Sequence, residues 1–516
     1  MLIDVNAAFG GRESVQRFPL ATMLEQLQRI GCSIAFVSCN QGATDASAAN
    51  DQVLALCQQH PWLRPVGTID PRETFSWRNE VERCLAAGVR LFRIYPDQAH
   101  WSPDTALFAP VIERLASAGT GAVLLTTATT HGLPTRLAAA TAEAGVPIIF
   151  SEARYYPLAE LLPLARQYPH IFIETSRITS PEGIERCVET IGADRLLFGS
   201  GTARYPARVA LQVLEQAAIS PEAREAIAWR NASRLLGIEP PSSARTTERQ
   251  PRRPSELRPA IDVHLHDRFP GAPIEPVTPE RFQATLDRCA IAGGAVSSVT
   301  GIFYDLAQGN DEVTALLDAI PRLRGYVVVD PRYPDASARE LERLERDPRF
   351  VGVKIHCSYA QTPTASPLLK RLFRRIAAYE RPVLIHPLGS DWPEALVEIA
   401  GEHPRLPIIA AHAGYGDAPG PTHDAAIRLA PAPNIYLEFC STYLTTGAIR
   451  RGIEAVGPER VLFGSDYPLI SLPYMRAAYE DAELSPAETE AILWRNALRL
   501  FPALAEVADS VSSGAA

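Results

Sequence analysis

The chain has 516 residues, is 46% hydrophobic and 21% charged, and carries a net charge of −9 at pH 7. That length suits two globular domains of about 250 residues each, and an acidic balance without a concentrated basic face argues against nucleic acid as a partner. No run approaches the ~18 consecutive apolar residues of a membrane span. MLIDVNAAFGGRE lacks a basic-then-apolar leader, and the eight scattered cysteines form no CxxC, so a reduced, cytoplasmic protein is expected.

The first half opens on Ile3-Asp4-Val5-Asn6-Ala7-Ala8 and continues as short apolar runs separated by amphipathic helical stretches, the last run being Leu196–Ser200. Three of its segments, AVLLT ending at Thr126, PIIFSE ending at Glu152 and LLFGSG ending at Gly201, return later in altered form. PWLRPVGTIDPR, ending at Arg72, resembles PRLRGYVVVDPR, ending at Arg332; GADRLLFGS, ending at Ser200, resembles GPERVLFGS, ending at Ser465; AIAWRNASRLLG, ending at Gly237, resembles AILWRNALRLF, ending at Phe501. A repeat this long is a duplicated domain, not a solenoid unit. The expected organisation is a first domain over 1–238, a Pro-, Ser- and Arg-rich linker over 239–259, a second domain over 260–505 and a disordered tail over 506–516.

In the second half the runs are Ile261–His266, Gly294–Val299, Gly325–Asp330, Val351–His356, Pro382–His386, Pro407–His412, Asn434–Phe439 and Val461–Asp466. Continuous apolar runs between helices imply parallel strands covered on both faces. Eight such units per half predict an α/β protein of two tandem (β/α)8 TIM-like barrels, with polar residues gathered on the rim formed by the strand ends.

His264 and His266 are two apart on a strand, so both point to one face. His386, His412 and Asp466 end three further runs. Imidazoles with a carboxylate suit one divalent metal with a position left for water, Zn²⁺ first and Mn²⁺ as another choice. Lys354 and His356 end the fourth run, and Arg268, Tyr304, Arg332 and Tyr415 follow strand ends; these six are candidate contacts for an anionic or aromatic small-molecule substrate. Glu438 has a counterpart in Glu174, which favours a structural role. Cys357 reads as a small buried side chain.

The DxHxH start, the strand-end histidines on strands five and six and the terminal FGSDYP resemble the amidohydrolase superfamily, and within it the amidohydrolase-2, or aminocarboxymuconate-semialdehyde-decarboxylase-like, family. The resemblance covers the second half and, in degraded form, the first. It implies His264, His266, His386 and Asp466 as metal ligands and His412 as the acid/base residue, with Asp466 sharing proton transfer. Some superfamily members carry a carboxylated lysine on this strand that bridges two metals; Lys354, two residues before the strand end, lies too deep for that role.

In the first half Asn6 and Ala8 replace the histidine pair, Thr126 and Glu152 replace two histidines, and Gly201 replaces the aspartate. Arg93 and Tyr95 stand opposite Lys354 and His356, while Arg154, Arg177 and Arg204 follow strand ends. This half reads as folded but non-catalytic, packed on the second as an intramolecular pseudo-dimer. The leading expectation is a metal-dependent hydrolase of an amide, lactone or ester of a small carboxylated compound. The alternative is a metal-dependent non-oxidative decarboxylase, and a third reading is a scaffold or sensor.

Overall fold

A computed structural model describes the chain except residues 12–17, 119–120, 129, 240–255, 269–276, 415–424 and 507–516. It divides into two compact units, Met1–Pro251 and Arg252–Ala516. The first holds strands β1 (Ile3–Phe9), β2 (Ile34–Cys39), β3 (Leu63–Thr68), β4 (Leu91–Arg93), β5 (Val123–Thr127), β6 (Ile148–Ser151), β7 (Ile171–Glu174) and β8 (Leu196–Leu197). The second holds β9 (Ala260–His266), β10 (Ile291–Ser297), β11 (Leu323–Val329), β12 (Phe350–His356), β13 (Val383–His386), β14 (Ile408–Ala410), β15 (Ile435–Glu438) and β16 (Val461–Leu462). Each set pairs in sequence order, parallel throughout. The last strand returns to the first: the Val5 amide donates to the Phe198 carbonyl at 3.0 Å, and the Val263 amide to the Phe463 carbonyl at 3.0 Å. The fold is two tandem (β/α)8 TIM barrels.

The strands form because their side chains are buried inward and outward alike, which favours runs such as IAFVSC and VLIH over alternation. Inside the second barrel Ile261, Val263, Tyr326, Leu384, Ile409 and Leu462 fill the lower layers, closed from below by Ala497, Phe501 and Leu504 of the C-terminal helices. The first barrel repeats this with Ile3, Val5, Leu91, Ile149 and Leu197 over Ala232 and Leu236. The repeated WRNA segment has a mechanical reason. Asn496 donates from Nδ2 to the carbonyls of Pro458 and Val461, at 2.7 and 2.8 Å. Asn231 does the same to Ala193 and Leu196, both at 2.8 Å. Each asparagine thereby pins the eighth strand to the closing helix.

A second shared device sits on the first strand. Asp4 Oδ1 accepts from the amides of Asn6 at 2.9 Å and Ser200 at 3.1 Å. Asp262 Oδ1 accepts from His264 at 3.0 Å and Ser465 at 3.2 Å. Burial pushes the Asp4 carboxyl up to about 6 from 3.8, against the hydrogen bonds that lower it. The folded state therefore holds the proton more tightly than the unfolded chain. Its contribution to stability is fully present below pH 4 and is lost as pH rises through 6. Asp4→Asn keeps the accepting oxygen and is expected to flatten the first unit's stability profile over that window by on the order of 3 kcal/mol. Denaturant unfolding at several pH values reads this, and a profile as steep as that of the unaltered chain would show that Asp4 is not the titrating group.

Several strands end short of the expected residue, two of them at candidate site residues. β14 stops at Ala410, and His412 follows with φ 72°. β16 stops at Leu462, and Asp466 has φ 59°. Both side chains leave the backbone from left-handed residues just beyond the strands. β10 begins three residues before the expected Gly294, because Ile291 and Ala292 pack into the core ahead of the glycines. Among the described residues, no helix is long and apolar enough to cross a membrane. The tail beyond Glu506 and most of the linker lie outside the described residues.

Candidate metal centre

The mouth of the second barrel gathers residues from seven strand ends. His264 and His266, on alternate positions of β9, are both buried. His266 Nε2 lies 3.2 Å from Asp466 Oδ1, and His264 Nε2 lies 3.7 Å from the same oxygen. The donor atoms of these three residues stand within 4.8 Å of one another. Two donors on one cation at about 2.1 Å each would be separated by about 3.0–3.4 Å, so His264, His266 and Asp466 fit a divalent ion with small adjustments.

The opposite nitrogens of both imidazoles are tied down. Ser297 Oγ lies 3.1 Å from His266 Nδ1. Glu438 Oε1 lies 2.8 Å from His264 Nδ1. A carboxylate only accepts, so Nδ1 of His264 carries the proton and Nε2 presents a lone pair to the pocket. Burial first, then the charge of Lys354, pushes His264 well below the usual imidazole range, so it is neutral. Asp466 is buried too, which by itself raises a carboxyl, yet the imidazoles around it, the hydrogen-bonded His266 among them, hold it down at about 2. The set is one carboxylate and two neutral-capable imidazoles, the chemistry of a borderline divalent cation.

Glu438 does more than brace a strand. Oε1 also accepts from the His412 amide at 2.7 Å, and Oε2 accepts from the Cys440 amide at 2.8 Å. One buried carboxylate thus positions His264 and His412 together. It needs glycine beside it: a Cβ on Gly464 would come within 2.9 Å of Glu438 Oε2 and 3.1 Å of His264 Cβ. His412 Nδ1 donates to the Cys440 carbonyl at 2.7 Å, which turns Nε2 away from the backbone. The Cys440 thiol sits 3.3 Å from Nδ1 of both His264 and His412, and burial raises it far above the thiol range. Cys440 and Ser297 were not singled out in the sequence, where nothing beyond their places near strand ends marks them.

His386 stands outside the three-atom donor set. Its ring stacks on His356 at 4.0 Å and meets His412 edge-on at 4.8 Å. His356 in turn lies 4.3 Å from Tyr359, and Tyr359 lies 3.9 Å from Phe303. Lys354 is fully buried, and Nζ reaches His264 Nε2 at 2.8 Å. Burial brings its ammonium down to about 8.

The remaining candidates are held elsewhere. Arg268 pairs with Glu312 at 3.1 Å and Asp267 at 3.5 Å. Tyr304 is 83% exposed. Arg332 forks onto Asp330, its Nη2 2.6 Å from Oδ2, as Arg72 does onto Asp70 in the first barrel. That pair locks a turn common to both halves. Cys357 is buried with its thiol raised to about 12 by burial, which removes it as a nucleophile. Tyr415 lies outside the described residues.

The mouth of the first barrel keeps the frame and changes the contents. Asn6 donates to Glu174 Oε1 at 3.0 Å, in the place of His264 and Glu438. Glu152, with φ 60°, and Gly201, with φ 68°, repeat the left-handed backbone of His412 and Asp466. A Cβ on Gly201 would already meet the Tyr205 ring at 2.9 Å.

The amidohydrolase family profile matches residues 37–238 and again 261–503, and the chain belongs to that family. It is an enzyme of the amidohydrolase superfamily built as a tandem duplication. A γ-resorcylate decarboxylase from Polaromonas is 24% identical over 230 residues, spanning 35% of this chain and 70% of the relative. A second γ-resorcylate decarboxylase, from Rhodococcus jostii, is 24% identical over 235 residues, with the same two shares. Among solved structures, a Polaromonas dihydroxybenzoic acid decarboxylase with bound manganese and 2-nitroresorcinol is 18% identical. That match covers 48% of this chain and 97% of that one, with a TM-score of 0.37.

Metal analysis of the full chain is expected to find one divalent ion per chain, and His264→Ala is expected to lower it to a small fraction. Two ions per chain, or full occupancy in the His264→Ala variant, would break the assignment of one centre to the second barrel.

Proposed function

We propose that the second barrel is a divalent-metal-dependent, non-oxidative decarboxylase of a hydroxylated aromatic carboxylic acid. The observation that carries this reading is the run of rings Phe303, Tyr359, His356, His386 and His412, which leads from the exposed rim to the His264, His266 and Asp466 donors. A planar aromatic acid slides along such a wall with its face on the rings. Both curated relatives are γ-resorcylate decarboxylases, and this favours the decarboxylase alternative over the hydrolase expected first from the residues. The metal ligands are the same for either reaction.

Held by His264, His266 and Asp466, a cation such as zinc or manganese would polarise the substrate's carboxylate and neighbouring hydroxyl oxygens. Lys354 adds positive charge beside His264, where those oxygens would lie. The ring wall fixes the plane of the substrate. His412, anchored through Nδ1, is the group that delivers a proton from Nε2 to the ring carbon bearing the carboxylate. That carbon gains the proton, its bond to the carboxylate breaks, and CO₂ leaves. The first barrel, with Asn6, Ala8, Glu152 and Gly201 at the matching positions, takes no part in this chemistry.

The test is the full chain loaded with manganese or zinc and offered 2,6-dihydroxybenzoate, other hydroxybenzoates and a matched set of amides, lactones and esters. Release of CO₂ with formation of the corresponding phenol is expected. Hydrolysis of the second set with no CO₂ from the first would overturn the reading.

A further inference from the structure

The first barrel has lost its histidines but has gathered arginines in their place. Arg93 ends β4, Arg154 follows β6, Arg177 follows β7 and Arg204 follows β8. Arg177 is 1% exposed and Arg93 7%. Glu152, at the backbone position of His412, lies 3.7 Å from Arg154 and 3.9 Å from Arg177 and accepts from the Tyr205 hydroxyl at 3.4 Å. The Arg177 guanidinium lies 3.8 Å over the Tyr205 ring. Arg93 takes the place that Lys354 has in the second barrel, but its Nη2 donates to a neutral acceptor, the Asn6 side-chain oxygen. Its Nε is buried without a hydrogen-bond partner. Its guanidinium also lies 5.9 Å from the Tyr95 ring. The indole nitrogen of Trp101, in the loop after β4, is likewise buried without a partner.

These groups are joined. Asn6 bridges Arg93 to Glu174, Ser176 donates its hydroxyl to Glu174 at 2.6 Å, and Gly201 stands between Ser176 and the Tyr205 ring. Burial lifts Glu174 to about 7, so it is a poor counter-charge at neutral pH. Glu152 is shared among three arginines, which overcome its burial and hold it below the usual carboxylate range. A guanidinium removed from water is destabilising unless an anion meets it, and its fork matches a carboxylate.

We propose that the mouth of the first barrel is a binding site for a small organic anion, a planar ring bearing a carboxylate. Arg93 pairs the carboxylate, and Tyr95, Tyr205 and Trp101 line the ring. No metal and no bond-breaking step is involved. The barrel then serves as a ligand-binding domain attached to a metal-dependent one.

The experiment is calorimetric titration of salicylate, and separately of inorganic phosphate, into the full chain carrying His264→Ala and His266→Ala in the presence of a chelator. Those substitutions take the second barrel's metal out of the measurement. One saturable salicylate site per chain is expected, tighter than phosphate. Adding Arg93→Gln is expected to weaken it tenfold to a hundredfold, on the order of one lost charge-assisted contact. Arg93→Lys is measured in parallel, because it keeps charge and bulk while losing the fork, and a loss of about threefold or more is expected from a folded protein. No saturable salicylate binding, binding undiminished in both Arg93 variants, or a preference for phosphate would each overturn the proposal.

Discussion

Replacing His412 with asparagine is expected to lower turnover by about 10²–10⁴-fold while the metal content stays near one per chain. The asparagine amide still donates to the Cys440 carbonyl region, but it offers no titratable nitrogen where Nε2 stood. It also tolerates the left-handed backbone at this position, φ 72°, so folding is not the quantity being measured. Steady-state kinetics beside metal analysis of the same preparation separates the two roles. If His412→Asn emptied the centre as fully as His264→Ala, His412 would be a ligand and the proton would have to come from elsewhere, with Asp466 the next group to test.

Glu438→Gln is expected to weaken metal binding by about 10–100-fold, the usual effect of removing a carboxylate that orients a ligating imidazole. The amide oxygen can still meet His264 Nδ1 and the His412 amide, but its NH₂ would then face the Cys440 amide, now 2.8 Å from Oε2. Two donors would oppose each other in a buried site, at a cost of about 1–3 kcal/mol. Glu174→Gln supplies the internal comparison. Its barrel has the same frame without the histidines, so it should lose stability and leave metal content unchanged. Competitive titration with a chromogenic chelator measures the first effect. An unaltered affinity in Glu438→Gln would reduce Glu438 to the structural role suggested by its repetition.

What the sequence made legible follows from distance along the chain. The barrels were readable because strands buried on both faces leave continuous apolar runs, and because the second copy repeats the spacing of the first. The His264 and His266 pair was readable because a strand has period two. Glu438 was not, since its contact with His264 spans 174 residues and nothing local distinguishes an orienting carboxylate from a structural one. The contact of Lys354 with His264 was not legible either, because strand position fixes the backbone but not the reach of a four-carbon side chain. Arg332 looked like a rim contact, although the repeat held the opposite signal. A DPR turn in both halves, one of them without the site histidines, marks a lock on the fold.

The left-handed residues after β6, β8, β14 and β16 separate delivery from chemistry. Glutamate, glycine, histidine and aspartate occupy these four bends in turn, so the bend belongs to the closed barrel and not to the side chain it carries. Whatever residue stands there is aimed at the same opening. Such positions are interchangeable sockets: duplication could exchange a metal for a cluster of guanidinium groups without redesigning the walls. An engineer who wished to write a third chemistry into this chain would begin at the same four residues.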